Sequence, residues 1–148
     1  YYHFSSKEEI FNFLIEEGMN LLKNSIKIKI DKQEKYIDKL RAIVLIQIKI
    51  IAKYENFMTI VLSELWGNST RSKTCKKYVD EYLQIVKAIV QEGINKEEIK
   101  PYNVDILTSE ILGLACTSLL RKKNGEIKVE ELYKELDKSF IQNLRRGK

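Results

Sequence analysis

Few side chains in this sequence are of the kinds that do covalent or acid–base chemistry. There is one histidine, His3, and there are two cysteines, Cys75 and Cys116. Neither thiol has a histidine close to it in the chain to act as a base, as nucleophilic catalysis would require. Neither belongs to a C-x-x-C or Cys/His cluster, so structural zinc is not expected, and two thiols are too few for a disulfide framework. A glycine-rich phosphate loop and a metal-spaced set of carboxylates are also missing from the sequence. It therefore reads as non-enzymatic, with no metal and no cofactor. What remains is binding chemistry, carried by polar residues set among apolar ones. Glu110 stands between Leu107 and Leu114 on the apolar side of a helical pattern. A carboxylate buried there needs a partner: either a cationic ligand, or a Lys or Arg of the same or a partner subunit. Gln47 interrupts the run Ile43, Val44, Ile48 and Ile51 in a similar way. It would either hydrogen-bond a ligand head group or turn toward solvent.

The elements that must position these residues are helices. Ile10, Phe11, Leu14, Gly18, Leu21 and Leu22 recur with helical spacing, and Ser6 with Glu9 forms an S-x-x-E capping box ahead of them. A helix is predicted from about Lys7. SIKIKI, residues 25–30, alternates like a strand but has no second strand to pair with, so it is read as a helix end or connection. From Gln33 to Trp66 there is neither Gly nor Pro. Tyr36, Leu40, Ile43, Val44, Gln47, Ile48 and Ile51 make one stripe there, and Phe57, Val61, Leu62, Leu65 and Trp66 make another. Two helices with a break at residues 54–56 fit this pattern. Gly67, Asn68 and Ser69 form a turn, with Ser69 as N-cap. The next helix carries Val79, Tyr82, Leu83, Val86, Ile89 and Val90 and is expected to stop at Gly93, in the left-handed C′ position. Asn103 caps a helix over residues 104–122, with Asp105 in its first turn complementing the dipole and small residues from Gly113 to Ser118 at its centre. Asn124-Gly125 then turns the chain into a last helix bearing Val129, Leu132, Leu136, Phe140 and Leu144. The expected fold is all-α, with six helices and no sheet.

Composition agrees with a single domain that has a real core: 148 residues, 44% of them hydrophobic and 32% charged. The net charge of +5 comes from 26 basic and 21 acidic residues interleaved along the chain, and is a weak pointer toward nucleic acid. Residues 71–77, 121–123 and 145–148 are the basic clusters, each of the kind that normally forms a solvated face or a chain end. The longest stretch without a charge, residues 111–120, is ten residues, against about 20 for a membrane-spanning helix. Glu8, Glu9, Glu16 and Glu17 are incompatible with a signal peptide. A reduced cytoplasmic setting with no membrane partner is expected. The aromatic and aliphatic set Tyr36, Leu40, Tyr54, Phe57, Met58, Val61, Trp66, Tyr78, Tyr82, Val86 and Ile89 reads mostly as core, with about a third of it expected to line a pocket, and Phe4 reads as core.

The opening Tyr1-Tyr2-His3-Phe4-Ser5-Ser6-Lys7-Glu8-Glu9-Ile10-Phe11 resembles the segment that closes the DNA-binding region of the TetR/AcrR family of bacterial transcriptional regulators. In that family a recognition helix ends in Tyr, Tyr or Trp, His and Phe, and a short turn leads into a Ser-Lys-Glu-Glu helix start. EGINKEEIKPYNVDILTSEILGL, residues 92–114, is also similar to the family: the end of a long helix, a polar loop and the penultimate helix. Ser5 departs from the pattern, where Lys or Gly is frequent, which removes a charge near DNA without changing the geometry.

The resemblance implies that residues 1–6 end a DNA-binding region and that residues 7–148 form a ligand-binding and dimerisation domain. The first two helices and most of the recognition helix would precede Tyr1. It further implies that Tyr1, Tyr2, His3 and Lys7 contact DNA phosphates, which position a protein without reading sequence. An apolar or amphipathic small-molecule effector would lie between the helices, lined by Leu40, Val44, Gln47 and Ile51, by Phe57, Met58 and Val61, and by Tyr82, Val86, Ile89 and Glu110. The last two helices would build a four-helix bundle in a homodimer through Leu107, Ile111, Leu114, Ser118, Leu132, Leu136 and Phe140. The function implied is that of a ligand-responsive repressor on palindromic double-stranded operator DNA. The competing reading is a standalone helical module that binds a lipid, another small molecule or a protein and has no DNA partner.

Overall fold

The computed structural model describes residues 3–123 and 128–147, and the side chains of all of these but 119–123. Tyr1, Tyr2 and the expected turn at Asn124-Gly125 lie outside the described residues. Among the described residues six helices follow one another: α1 (Lys7–Asp31), α2 (Tyr36–Lys53), α3 (Glu55–Glu64), α4 (Thr70–Asn95), α5 (Val104–Lys123) and α6 (Val129–Leu136). The sixth continues without interruption through a π-helical turn (Asp137–Ile141) into a last α-helical turn (Gln142–Leu144).

Local side-chain caps set the starts of α1, α4 and α5. Ser6 Oγ accepts the Glu9 N–H at 3.1 Å, and the Glu9 carboxylate in return accepts from Ser5 N at 2.6 Å. The reciprocal half of the box thus reaches one residue further back than Ser6, and the Ser5 N–H holds the Glu9 carboxyl below its ordinary pKa. Ser69 caps α4 through Ser72 N at 3.1 Å, and Asn103 caps α5 through Ile106 N at 3.0 Å. The break between α2 and α3 is one residue, Tyr54, whose φ of −111° and ψ of 40° leave the helical region.

Two expectations fail in instructive ways. Gly93 does not end α4; the helix runs to Asn95 and the left-handed residue is Glu97, with φ 61°. Glu98 N donates to Gly93 O at 2.9 Å and Glu97 N to Ile94 O at 3.0 Å, which is a Schellman closure with Glu97 at C′. Gly93 is needed for space: a Cβ there would lie 2.9 Å from Ile99 Cγ1 and 3.0 Å from Tyr36 Cβ. Trp66, assigned to the core, is 93% exposed, because the chain turns at Gly67 immediately after it and leaves the indole outside the α3–α4 corner.

Helix α2 is the central element, packed against α1, α4, α5 and α6. Its dense apolar run behaves as a helix buried on most sides, with Leu40, Ile43, Gln47 and Ile48 fully inside. Arg41 fastens α2 to the π-turn, with Nε 2.7 Å from Asp137 Oδ1 and Nη1 2.9 Å from Asp38 Oδ1. The tail after α6 runs beside the α4–α5 loop, where Lys100 N donates to Leu144 O and Arg146 N to Glu98 O. No helix among the described residues is long and apolar enough to cross a membrane.

Candidate functional site

SIKIKI proves to be the last turns of α1, with Ile26 and Ile30 inward and Ile28 exposed. The whole buried face of that helix is Phe11, Ile15, Met19, Leu22, Ile26 and Ile30. The helical set read from the sequence, Ile10, Phe11, Leu14, Gly18, Leu21 and Leu22, splits: Phe11 and Leu22 are buried, whereas Ile10, Leu14 and Leu21 are exposed. A helix with two apolar stripes can bury only one against a single layer, and here the second one forms a wall of a groove.

That groove lies between α1, the end of α2 and the start of α3. Its volume is about 440 Å³, and Leu14, Glu17, Gly18, Leu21, Ile50, Tyr54, Phe57 and Met58 line it. Glu17 is the one charged side chain in this lining. The size and apolar character suit a small amphipathic or hydrophobic molecule. Lys53 Nζ stands 5.4 Å from the centre of the ring of Tyr54, one of the lining residues.

Only Phe57 and Met58 of the expected pocket residues reach this groove. Leu40, Val44, Ile51, Val61 and Val86 are buried in the core and Ile89 is half-buried beside it. Gln47 neither faces a ligand nor turns to solvent. It is fully buried, accepts a hydrogen bond from the Tyr82 hydroxyl, and donates from Nε2 to Ile111 O at 3.2 Å. Three helices are joined at this point, and the polar atoms an effector might have used are already satisfied. Burial pushes the Tyr82 hydroxyl well above its ordinary pKa, with the nearby Cys116 adding a smaller push. Burial likewise pushes the Cys116 thiol up to about 11. Glu110 is exposed, so it is not the buried carboxylate that its place between Leu107 and Leu114 suggested.

The groove residues missed from the sequence are Leu14, Glu17, Gly18, Leu21 and Ile50, while Tyr54 belonged to the wider set from which pocket residues were expected. The signal that could have found those on α1 was the doubling of apolar stripes on that helix, together with a glycine inside one stripe.

The residues assigned to a dimer contact divide in two. Leu107, Ile111, Leu132 and Leu136 are buried within the single chain, because α5 and α6 use these side chains to cover α2 and α4. Leu114, Ser118 and Phe140 are half-buried. The outer face of α5 presents Ile106, Glu110, Gly113 and Thr117 at i, i+4, i+7 and i+11, with Ile106 60% exposed and open space over Gly113.

At the start of the chain His3 and Lys7 are exposed, and Phe4 is half-buried with its ring 5.4 Å from that of Phe13. The first turn of α1 is tied to α4 by Arg71, which pairs with Glu8 at 2.8 Å and stacks 4.2 Å over Phe11. Among the described residues no group of three or more His, Cys, Asp or Glu side chains is placed to hold a metal ion.

Residues 33–144 match the family model described as the tetracyclin repressor-like C-terminal domain. Among solved structures, a Clostridium perfringens protein described as a fatty acid metabolism regulator is 29% identical, with a TM-score of 0.82 over 93% of this chain and 77% of its own. A protein of unknown function from Rhodococcus sp. RHA1 has the same TM-score at 11% identity, covering 97% of this chain and 77% of its own. AibR, solved with isovaleryl coenzyme A and operator DNA, is 14% identical with a TM-score of 0.72, over 90% and 74% of the two chains. The last two likenesses show the fold alone. Among curated proteins no sequence match reaches significance.

Proposed function

Because the chain belongs to the tetracyclin repressor-like family, as its C-terminal domain, we propose that it is the effector-sensing and dimerising part of a ligand-responsive DNA-binding repressor. The observation that carries this reading is the position of the apolar groove. One of its walls is α1, the helix that starts at Lys7 directly after the segment resembling the end of a recognition helix. An occupant entering between α1 and α3 acts on the element that leads to the DNA-reading head.

The effector we propose is a molecule with an alkyl chain, an acyl compound foremost. The groove is apolar and of ligand size, and two structural neighbours are described by fatty acid metabolism and by bound isovaleryl coenzyme A. The homodimer would form across the outer faces of α5 and α6, where Ile106 is exposed and Gly113 lets a second helix approach. Two half-sites of an operator lie about 34 Å apart, so a small change in the angle between subunits separates bound from released. His3 and Lys7, with Tyr1 and Tyr2, would then rest on phosphates.

The test is operator binding by the protein joined to a helix-turn-helix head, followed with and without acyl compounds. Binding that is released by an acyl compound, with a dimer persisting throughout, is the expected result. Thermal stabilisation by about 2.7 kcal/mol at 100 times the dissociation constant would accompany it. Operator binding unaffected by every acyl compound would remove the effector reading.

A further inference from the structure

Resting on the effector reading of the groove, we infer that Phe57, seated on the bare α-carbon of Gly18, sets the length of alkyl chain that the groove admits. Leu14, Gly18 and Leu21 line one wall at i, i+4 and i+7. At 1.5 Å per residue they span about 10 Å along α1, with Gly18 about 6 Å from Leu14 and about 4.5 Å from Leu21. The facing wall is Ile50, Tyr54, Phe57 and Met58, from the α2–α3 junction. The site is therefore a trough running along a helix, which suits an unbranched alkyl chain better than a compact ring system.

Phe57 crosses this trough near its middle. A Cβ built on Gly18 would stand 3.0 Å from Phe57 Cε1, 3.6 Å from Cδ1 and 3.8 Å from Cζ. The edge of the ring thus stands closer to that position than a Cβ ordinarily tolerates, and one aromatic group spans the gap between α1 and α3 there. The ring is only half-buried, so it borders the groove and is not locked within the core. A chain that stops before the ring lies in one half of the trough, whereas a longer one must turn the ring away from Gly18. Burying one more methylene gains about fourfold in affinity while space remains, and that gain ends where the chain meets Phe57.

The test is calorimetric titration of this 148-residue chain with two series, the straight-chain acids from butanoic to hexadecanoic and their coenzyme A thioesters. For the wild type, affinity should climb about fourfold per methylene and then level or fall at a defined length. Phe57→Ala should move that break to longer chains, Phe57→Leu should move it less, and Gly18→Ala should move it to shorter ones by pushing the ring into the trough. A break in both series places the ruler in the alkyl chain alone, and a break in one series supports it for that head group. If Phe57→Ala cannot be folded, Phe57→Leu and Gly18→Ala carry the comparison. A break at the same length in wild type and every folded variant overturns the inference and leaves the effector reading standing. Failure of the wild type to bind either series overturns both.

Discussion

The Glu98 carboxylate accepts a hydrogen bond from Tyr36 N at 2.9 Å, across 62 positions of sequence. Tyr36 is the first residue of α2, and Lys35 before it supplies no side-chain cap. The α4–α5 loop therefore caps the central helix of the domain, placing a negative charge at its N-terminus where the macrodipole favours one. The Tyr36 hydroxyl adds a second tie by donating to Glu92 on α4 at 2.7 Å.

Replacement of Glu98 should show this directly. Glu98→Ala is expected to lower stability by about 0.5–2 kcal/mol, the range for loss of a cap, and Glu98→Gln, which keeps an acceptor, by less. Denaturant melts would measure the two values, and equal losses would deny that the acceptor matters.

Gly93 and Glu97 predict opposite signs. An Ala in place of Gly inside a helix ordinarily gains about 1 kcal/mol, but at Gly93 the new methyl meets the fully buried Ile99 and the Tyr36 Cβ. Gly93→Ala should destabilise by about 1–3 kcal/mol. Glu97→Gly should stabilise by up to about 1 kcal/mol, since Glu97 holds a φ of 61° that only glycine adopts without strain. Thermal melts of both variants decide the matter, and a stabilising Gly93→Ala would show that the contact yields.

Tyr82 makes stability depend on pH at the alkaline end. Burial raises its folded pKa well above the ordinary 10, so below about pH 10 both folded and unfolded chains keep the proton and this group adds no slope. Above that, the unfolded chain loses a proton that the folded chain keeps, and stability falls as pH rises. Tyr82→Phe should flatten the slope while costing about 1–3 kcal/mol at neutral pH, because the buried Gln47 Oε1 loses its donor. Denaturant titrations from pH 7 to about 11 would test both effects.

The proposed dimer makes a prediction about α5. Ile106→Glu places a charge on its outer face and should shift sedimentation of the chain toward monomer without changing its helix content. Leu136→Glu cannot serve this purpose, since Leu136 is buried in the single chain and a charge there unfolds it. A wild-type monomer at micromolar concentration would remove the dimer proposal.

Much of this fold is legible in the amino-acid sequence. Periodicity in 3.6 identified the helices from Lys7 onward, the caps at Ser6, Ser69 and Asn103 fixed where three of them start, and the family followed from the opening motif. All of these are local signals, carried by residues within a few positions of one another. What the sequence could not decide was which apolar stripe of a helix faces inward. On α1 both Ile10/Leu14/Leu21 and Phe11/Ile15/Leu22 have helical spacing, and only the packing of α2 and α4 against the second selects it. On α5 the same choice took Leu107 and Ile111 from the expected interface into the core. Gly93 looked like a helix stop because a glycine can end a helix by its backbone freedom or fit inside one for want of a side chain. The difference lies in Ile99, which the tail after α6 helps hold against it. Gln47 found its partners at Tyr82 and Ile111, 35 and 64 residues away. The groove at Gly18 and Phe57 belongs to the same class of fact: it is a gap between elements, and it exists only once those elements are packed.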